Sequence, residues 1–252
     1  MKKLLLSLAA VALTGTAFGA EVTSIGDVSL DDTLSATVTV TAQCSRGLIL
    51  TDNTGSILYY NQNINLSEYP IGTILTVNGK VSQYNHGLQL TDAATLTVTT
   101  PGDGSYTYPT PTAYTAQMLT EAAAVTDNIL ATYVTIEGKL SISGSYYNVI
   151  VEGTDVQGSV YYPTDQVIGM LEDGKTYKLT GYFTAISGSS TKYFNIIVTG
   201  INVSEVGGVE SVGIDLNAPV EYYNLQGVRV NNPSKGVYIL RQGDKTSKVV
   251  VR

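Results

Sequence analysis

An all-β fold is predicted by three observations. Thr, Val, Tyr and Gly dominate the 252 residues and only 14% are charged, a composition suited to strands and turns rather than helices. Polar and apolar residues alternate over long runs, as in Ser35, Thr37, Thr39 and Thr41 against Ala36, Val38, Val40 and Ala42, the period-two signature of a strand. The third observation is an internal repeat. Ser56-Ile57-Leu58-Tyr59-Tyr60, followed by Gly72 to Val81, returns as Ser159-Val160-Tyr161-Tyr162, followed by Gly174 to Phe183. The copies stay in register from the tyrosine pairs to Gly79 and Gly181, and Thr51-Asp52 matches Thr154-Asp155 after a one-residue slip that a hairpin turn absorbs.

Each copy reads as five strands in the same order. The first has strands at about 34–43, 47–52 and 55–60, a polar or short helical connection at 62–70, then a hairpin of 73–83 with 87–99. The second repeats this at 131–143, 146–153, 157–162, 175–187 and 192–203. Five strands with a connector between the third and fourth is the plan of a small Greek-key barrel of the OB type. Its long first strand must bend, through a glycine or a bulge, and Gly138 is the candidate in the second copy. The organisation expected is therefore a leader at 1–19, an OB-like domain at 20–100, a Pro/Gly linker at 101–114, a second OB-like domain at 115–205 and a small β-sandwich-like module at 206–252. A short helix over 115–124, with Met118, Leu119 and Ala122 at helical spacing, is expected to cap the second barrel.

The N-terminus has the parts of a cleavable signal peptide: the positive Met1-Lys2-Lys3, an apolar run from Leu4 to Leu13, and small Ala17 and Gly19 at −3 and −1 of a cleavage before Ala20. The run is too short to span a bilayer, no cysteine follows the cleavage point, and no later segment offers about eighteen consecutive apolar residues, so no transmembrane segment is expected. Export places the chain in the periplasm, on the outer-membrane surface or outside the cell.

Charge is unevenly spread. Residues 20–104 hold two basic and eight acidic residues, 105–205 four and nine, and 206–252 six and four. Nucleic-acid binders carry a basic footprint that displaces counterions from phosphates, and this acidic body disfavours that partner.

Catalytic motifs are absent: no His-Glu-x-x-His, no Gly-x-Ser-x-Gly, no phosphate-cradling glycine loop and no paired cysteines. A non-catalytic role without a cofactor is expected. Cys44 reads as a small hydrophobe on a strand, since a nucleophilic thiol needs a nearby base and His86 is the sole histidine. Asp27, Asp31 and Asp32 cluster before the first strand, where the choice is between an oxygen-ligand calcium site and a solvated turn.

The tyrosines are the better guide to binding. The pairs Tyr59 with Tyr60, Tyr146 with Tyr147 and Tyr161 with Tyr162 fall on strands, where neighbours face opposite ways, so one of each pair is expected in the core and the other outside. Outward rings would lie where OB barrels stack bases or sugars. Candidate partners are a surface glycan or protein, or single-stranded nucleic acid as the alternative.

The tail runs Tyr223-Asn224-Leu225-Gln226-Gly227-Val228-Arg229-Val230, then Lys235-Gly236-Val237-Tyr238-Ile239-Leu240, and closes on Lys248-Val249-Val250-Val251-Arg252. This segment resembles the C-terminal sorting domain of the type IX (Por) secretion system of Bacteroidetes, with Asn224, Leu225, Gln226, Gly227, Lys235 and Gly236 carrying the likeness. The resemblance implies export machinery as a partner of the tail. The two barrels resemble extracytoplasmic OB-fold modules of exported Bacteroidetes proteins, on the Leu-Thr-Asp, tyrosine-pair and Val-Asn-Gly-Lys-Val patterns.

Overall fold

The computed structural model describes residues 19–204, 214–215, 219–243 and 245–251. The expected leader core, Met1 to Phe18, lies outside the described residues, as does Arg252.

The first barrel is built from β1 (Glu21–Val22), β2 (Thr33–Cys44), β3 (Gly47–Thr51), β4 (Ser56–Tyr60), β5 (Ile74–Lys80), β6 (Ser82–Tyr84), β7 (Gly87–Thr91) and β8 (Thr95–Thr100). β2 pairs antiparallel with β3 and β5, β3 with β4, and β4 closes in parallel on β7, while β8 lies along β5. The fifth strand of the plan is thus two pieces. The chain turns at Asp92 to Ala94, where the Ala94 side chain fills the space a Cβ on Gly79 would need, 2.2 Å away.

The second barrel follows from β9 (Thr112–Ala113), the helix α1 (Ala116–Ala123), β10 (Thr132–Ser143), β11 (Tyr146–Ile150), β12 (Gln157–Val160), the short helix α2 (Asp165–Ile168), β13 (Thr176–Ser187) and β14 (Tyr193–Val203). Here the ring closes fully: β10 pairs with β11 and β13, β11 with β12, β12 in parallel with β14, and β14 with β13. Five strands with a parallel third–fifth pairing is the OB plan expected from the repeat. The corner of the first strand is made differently in each copy. β2 shifts register between Val40 and Ala42, where it passes from β5 to β3, whereas β10 uses Gly138, whose missing Cβ leaves room for the Ile150 carbonyl 2.5 Å away.

Alternation sends one face of each strand inward. Leu34, Val38, Leu48, Leu50, Ile57, Leu75 and Leu90 fill the first barrel. Val134, Ile136, Leu179, Phe183, Phe194 and Ile196 fill the second, with Phe183 and Phe194 stacked at 3.8 Å. Each such side chain contributes about 1.5–3 kcal/mol on burial. Helix α1 forms where expected, with Thr115 Oγ1 accepting from the Met118 amide and Leu119 buried in the second core.

The three early aspartates have three separate tasks. Asp32 is buried and accepts from the Ala20 and Ser29 amides, Asp31 pairs with Lys80 at 2.8 Å, and Asp27 takes the Ser24 hydroxyl. They are divided among structural partners rather than gathered around a cation site. Among the described residues no cluster of three metal-ligating side chains occurs, and no helix is long and apolar enough to cross a membrane.

The tail begins with β15 (Ile214–Asp215), which extends the second barrel's sheet beside β14. β16 (Val220–Tyr223), β17 (Arg229–Val230), β18 (Gly236–Gln242) and β19 (Lys245–Val251) then form one antiparallel sheet in the order β17-β16-β18-β19. Among the described residues this is a single layer; the second layer of the expected sandwich is not among them. Leu240 and Gln242 are buried, and Gln166 Nε2 of α2 donates to Gln242 Oε1 at 2.5 Å. The resemblance-carrying residues make the turn between β16 and β17: Asn224 Oδ1 accepts from the Gln226 and Val228 amides, and Gly227 takes φ +81°. Leu225 is exposed, and Lys235 precedes Gly236 at the start of β18.

Candidate functional site

The two barrels pack against each other. Ala42, Cys44, Ile49 and Leu58 on the outer face of the first meet Ala131, Tyr182 and Ile197 of the second, with Tyr60, Tyr108, Tyr133, Tyr161 and Tyr162 around them. Backbone hydrogen bonds stitch the seam. Leu88 N donates to Ile129 O at 2.8 Å, Ile129 N to His86 O at 2.7 Å, Ala131 N to Ser56 O at 3.0 Å and Ser45 N to Tyr162 O at 2.8 Å. The 101–114 linker is part of this joint, because Tyr108 donates its hydroxyl to the Thr41 carbonyl at 2.5 Å and stacks on Tyr133 at 4.9 Å.

Cys44 lies inside this seam. Burial pushes its thiol up to about 12, the opposite of the lowered value that an attacking thiolate needs. Burial likewise pushes the Tyr182 phenol up to about 12.

Where the barrels diverge they leave a cleft of about 880 Å³, within the usual range for small-ligand sites. The first barrel supplies Ser45 and Arg46, from the β2–β3 turn, and Tyr84. The second supplies the β10–β11 turn with Tyr146 and Tyr147, the segment from Ser159 to Pro163, and Tyr193 with Asn195 on β14. The polar lining is tyrosine, serine, asparagine and one arginine, joined by Val160, Pro163 and Ile168, and among the described residues it holds no carboxylate.

Part of its lining is an aromatic cluster. The chain leaves β12 at Val160 and Tyr162 adopts φ +47°, so Tyr161 and Tyr162 do not alternate as strand neighbours but lie ring against ring, 4.1 Å between centroids. Tyr161 donates to the Tyr162 hydroxyl at 3.2 Å, and Tyr60 of the first barrel stands 5.6 Å from the Tyr162 ring. The Arg46 guanidinium lies over that ring at 5.1 Å, a cation–π contact. The Tyr60 hydroxyl beside it holds the Arg46 charge more firmly, while burial raises both Tyr161 and Tyr162 and keeps them as neutral phenols.

One wall is a polar row. Asn148 on β11 is in register with Ser159 on β12, and Ser159 with Asn195 on β14. Their chain neighbours Val149, Phe194 and Ile196 point into the core, so the row faces out of the barrel. Asn195 is 1% exposed; its Oδ1 accepts from Ser187 Oγ at 3.1 Å, while its Nδ2 has no partner among the described residues. Asn148 Oδ1 is also buried without a partner. A buried amide group left unpaired costs about 1–3 kcal/mol, which makes two of them beside one cleft a feature needing a reason.

The expected tyrosine sites are therefore distributed. Tyr146, Tyr147, Tyr161 and Tyr162 line the cleft, with Tyr146 68% exposed. Tyr59 is buried in the first core, and Tyr60 does not line the cleft but backs two residues that do, Arg46 and Tyr162. The pair at 161–162 departs from the expected one-in, one-out pattern because it lies beyond the strand end, where both rings are half-buried. Sequence reasoning did not select Arg46, Tyr84, Asn148, Tyr193 or Asn195. The position of Asn195 carried a signal: it is a lone amide in the apolar run from Phe194 to Val198.

No family model and no curated protein matches the chain. Among solved structures it is similar to a murine DNA binding protein bound with double-stranded DNA, at 11% identity and a TM-score of 0.36 over 71% of this chain and 99% of that one. It is also similar to p202 HIN1 in complex with a 12-mer double-stranded DNA, at 10% identity and a TM-score of 0.36 over 64% of this chain and 87% of that one. Likenesses of this degree carry no argument about what this chain binds.

Proposed function

We propose that the chain is an exported, non-catalytic binding module whose ligand occupies the cleft between the two barrels. One observation carries the reading: tyrosine faces and two buried, unpartnered amide groups converge on the same cleft of about 880 Å³. Stacking surface together with unpaired hydrogen-bonding groups is what a ligand needs and what a packing interface avoids. Export is supported by the charged, apolar and small-residue succession of Met1 to Gly19, and delivery to the cell surface by the likeness of the tail to a sorting domain.

Thermal unfolding of the full chain against a mixed collection of oligosaccharides, oligonucleotides and peptides tests the site. A ligand that binds the folded state raises Tm, and Arg46→Ala and Tyr146→Ala are expected to remove the rise. A rise that survives both substitutions places the ligand elsewhere. Cell fractionation with and without residues 206–252 tests the destination; an unchanged location after deletion removes the tail's sorting role.

A further inference from the structure

The chemistry of the cleft narrows the ligand. We infer that it takes a neutral oligosaccharide, a short chain of uncharged pyranose units laid on the tyrosines and hydrogen-bonded along the Asn148, Ser159 and Asn195 row; this rests on the cleft being the binding site, as proposed above. Three features carry the inference. The first is the row itself, which crosses three strands and so spans two strand spacings, about 10 Å. Its unpaired groups are of both kinds: Asn195 Nδ2 is a donor and Asn148 Oδ1 an acceptor, each buried without a partner among the described residues. A sugar hydroxyl both donates and accepts, so successive hydroxyls along a glycan satisfy such a mixed row with no charged group needed.

The second feature is the aromatic lining. Of the lining tyrosines, Tyr84 and Tyr146 are exposed and Tyr161 and Tyr162 are half-buried. Tyr84 and Tyr146 offer an apolar face for the C–H side of a pyranose and a hydroxyl for its rim, while Tyr162, packed on Tyr161 and lying under Arg46, holds the Arg46 side chain in place beside them.

The third is charge. Single-stranded nucleic acid needs a positive groove along its backbone, yet among the described residues Arg46 is the one cation lining the cleft, and it already covers the Tyr162 ring. The chain around it has a net charge of −7. An uncharged polymer meets no such opposition. Among the described residues no Asp or Glu lines the cleft, so the carboxylate pair that glycosidic cleavage requires is not found there and the glycan is held rather than cut.

The test is isothermal titration of the full chain with hexasaccharides of β-linked glucose, xylose, mannose and N-acetylglucosamine, and with a short oligothymidylate, at low and high salt. One or more of the hexasaccharides is expected to bind with an affinity that salt leaves unchanged. Asn195→Ala and Tyr146→Ala are each expected to weaken it about tenfold or more, as loss of one buried hydrogen-bonding or stacking partner does. Tyr146 is 68% exposed, so its replacement leaves the fold intact even where Asn195→Ala does not. Binding of oligothymidylate alone, weakened by salt and lost in the same variants, overturns the glycan inference and leaves the cleft standing. Glycan binding indifferent to both variants, or no binding by any probe, overturns the inference and the cleft together.

Discussion

Gly87 in the first barrel lies against Thr184 in the second so closely that a Cβ on Gly87 would fall 2.2 Å from the Thr184 carbonyl oxygen. The joint between the barrels is thus made at backbone contact distance, and the cleft inherits its shape from that joint. Gly87→Ala forces the barrels apart by more than a side-chain adjustment can absorb. The expected loss is about 1–3 kcal/mol in urea unfolding, the usual cost of overpacking, with weaker binding in the cleft. An unchanged midpoint would show that the seam is looser than this contact implies.

Cys44 reports on the same joint. With its thiol buried and pushed up to about 12, native protein at pH 8 is expected to react with a disulfide reagent only as fast as the seam opens, and fully in concentrated urea. Immediate stoichiometric labelling of the native chain would contradict the packed arrangement. Gly87→Ala is expected to speed the labelling.

Asp52 predicts an acid dependence. Burial opposes its ionisation, but hydrogen bonds from the Thr54 hydroxyl and the Ile25, Thr54 and Gly55 amides outweigh that and hold its carboxyl below the ordinary range. A depressed folded value stabilises the fold above the unfolded value, near 4, and the stabilisation is lost as pH falls through the folded value. Asp52→Asn is expected to cost about 1 kcal/mol at pH 7, the solvent-screened share of these bonds. The gap between variant and parent should close as the pH is lowered towards 3. A gap that is constant with pH would assign the loss to shape rather than charge.

Asn195 separates ligand binding from stability. Replacing it with leucine, together with Ser187→Ala to remove the hydroxyl that would lose its acceptor, eliminates a buried unpaired amide. The free protein is expected to be as stable as the parent, or more stable by about 1 kcal/mol, while binding is lost. A marked destabilisation would mean that the amide serves the fold.

The barrels were legible in the chain because each strand alternates and the repeat preserves their order. The strand split at Asp92 to Ala94 was not, since nothing local distinguishes that turn from a continuing strand until Ala94 meets Gly79. The packing of barrel on barrel left a trace: Leu48-Ile49-Leu50 and Ile57-Leu58 are apolar on both faces, which a barrel exposed to water does not need. Tyr146, Tyr147, Tyr161 and Tyr162 stood out as pairs. Arg46 and Tyr84 did not, because a cleft formed by two domains brings together residues that no spacing relates, and of the second barrel's amides only Asn195 is marked, as a polar residue inside an apolar run.

A ligand in the cleft must touch residues of both barrels. Amide chemical-shift mapping of the labelled full chain, titrated with the hexasaccharide that binds best, measures that contact. The predicted result is a set of shifts concentrated at Ser45 and Arg46, at Ser143 to Asn148, at Ser159 to Pro163 and at Tyr193 to Asn195. Shifts confined to the tail sheet or to the far side of either barrel, with these segments unmoved, would contradict it.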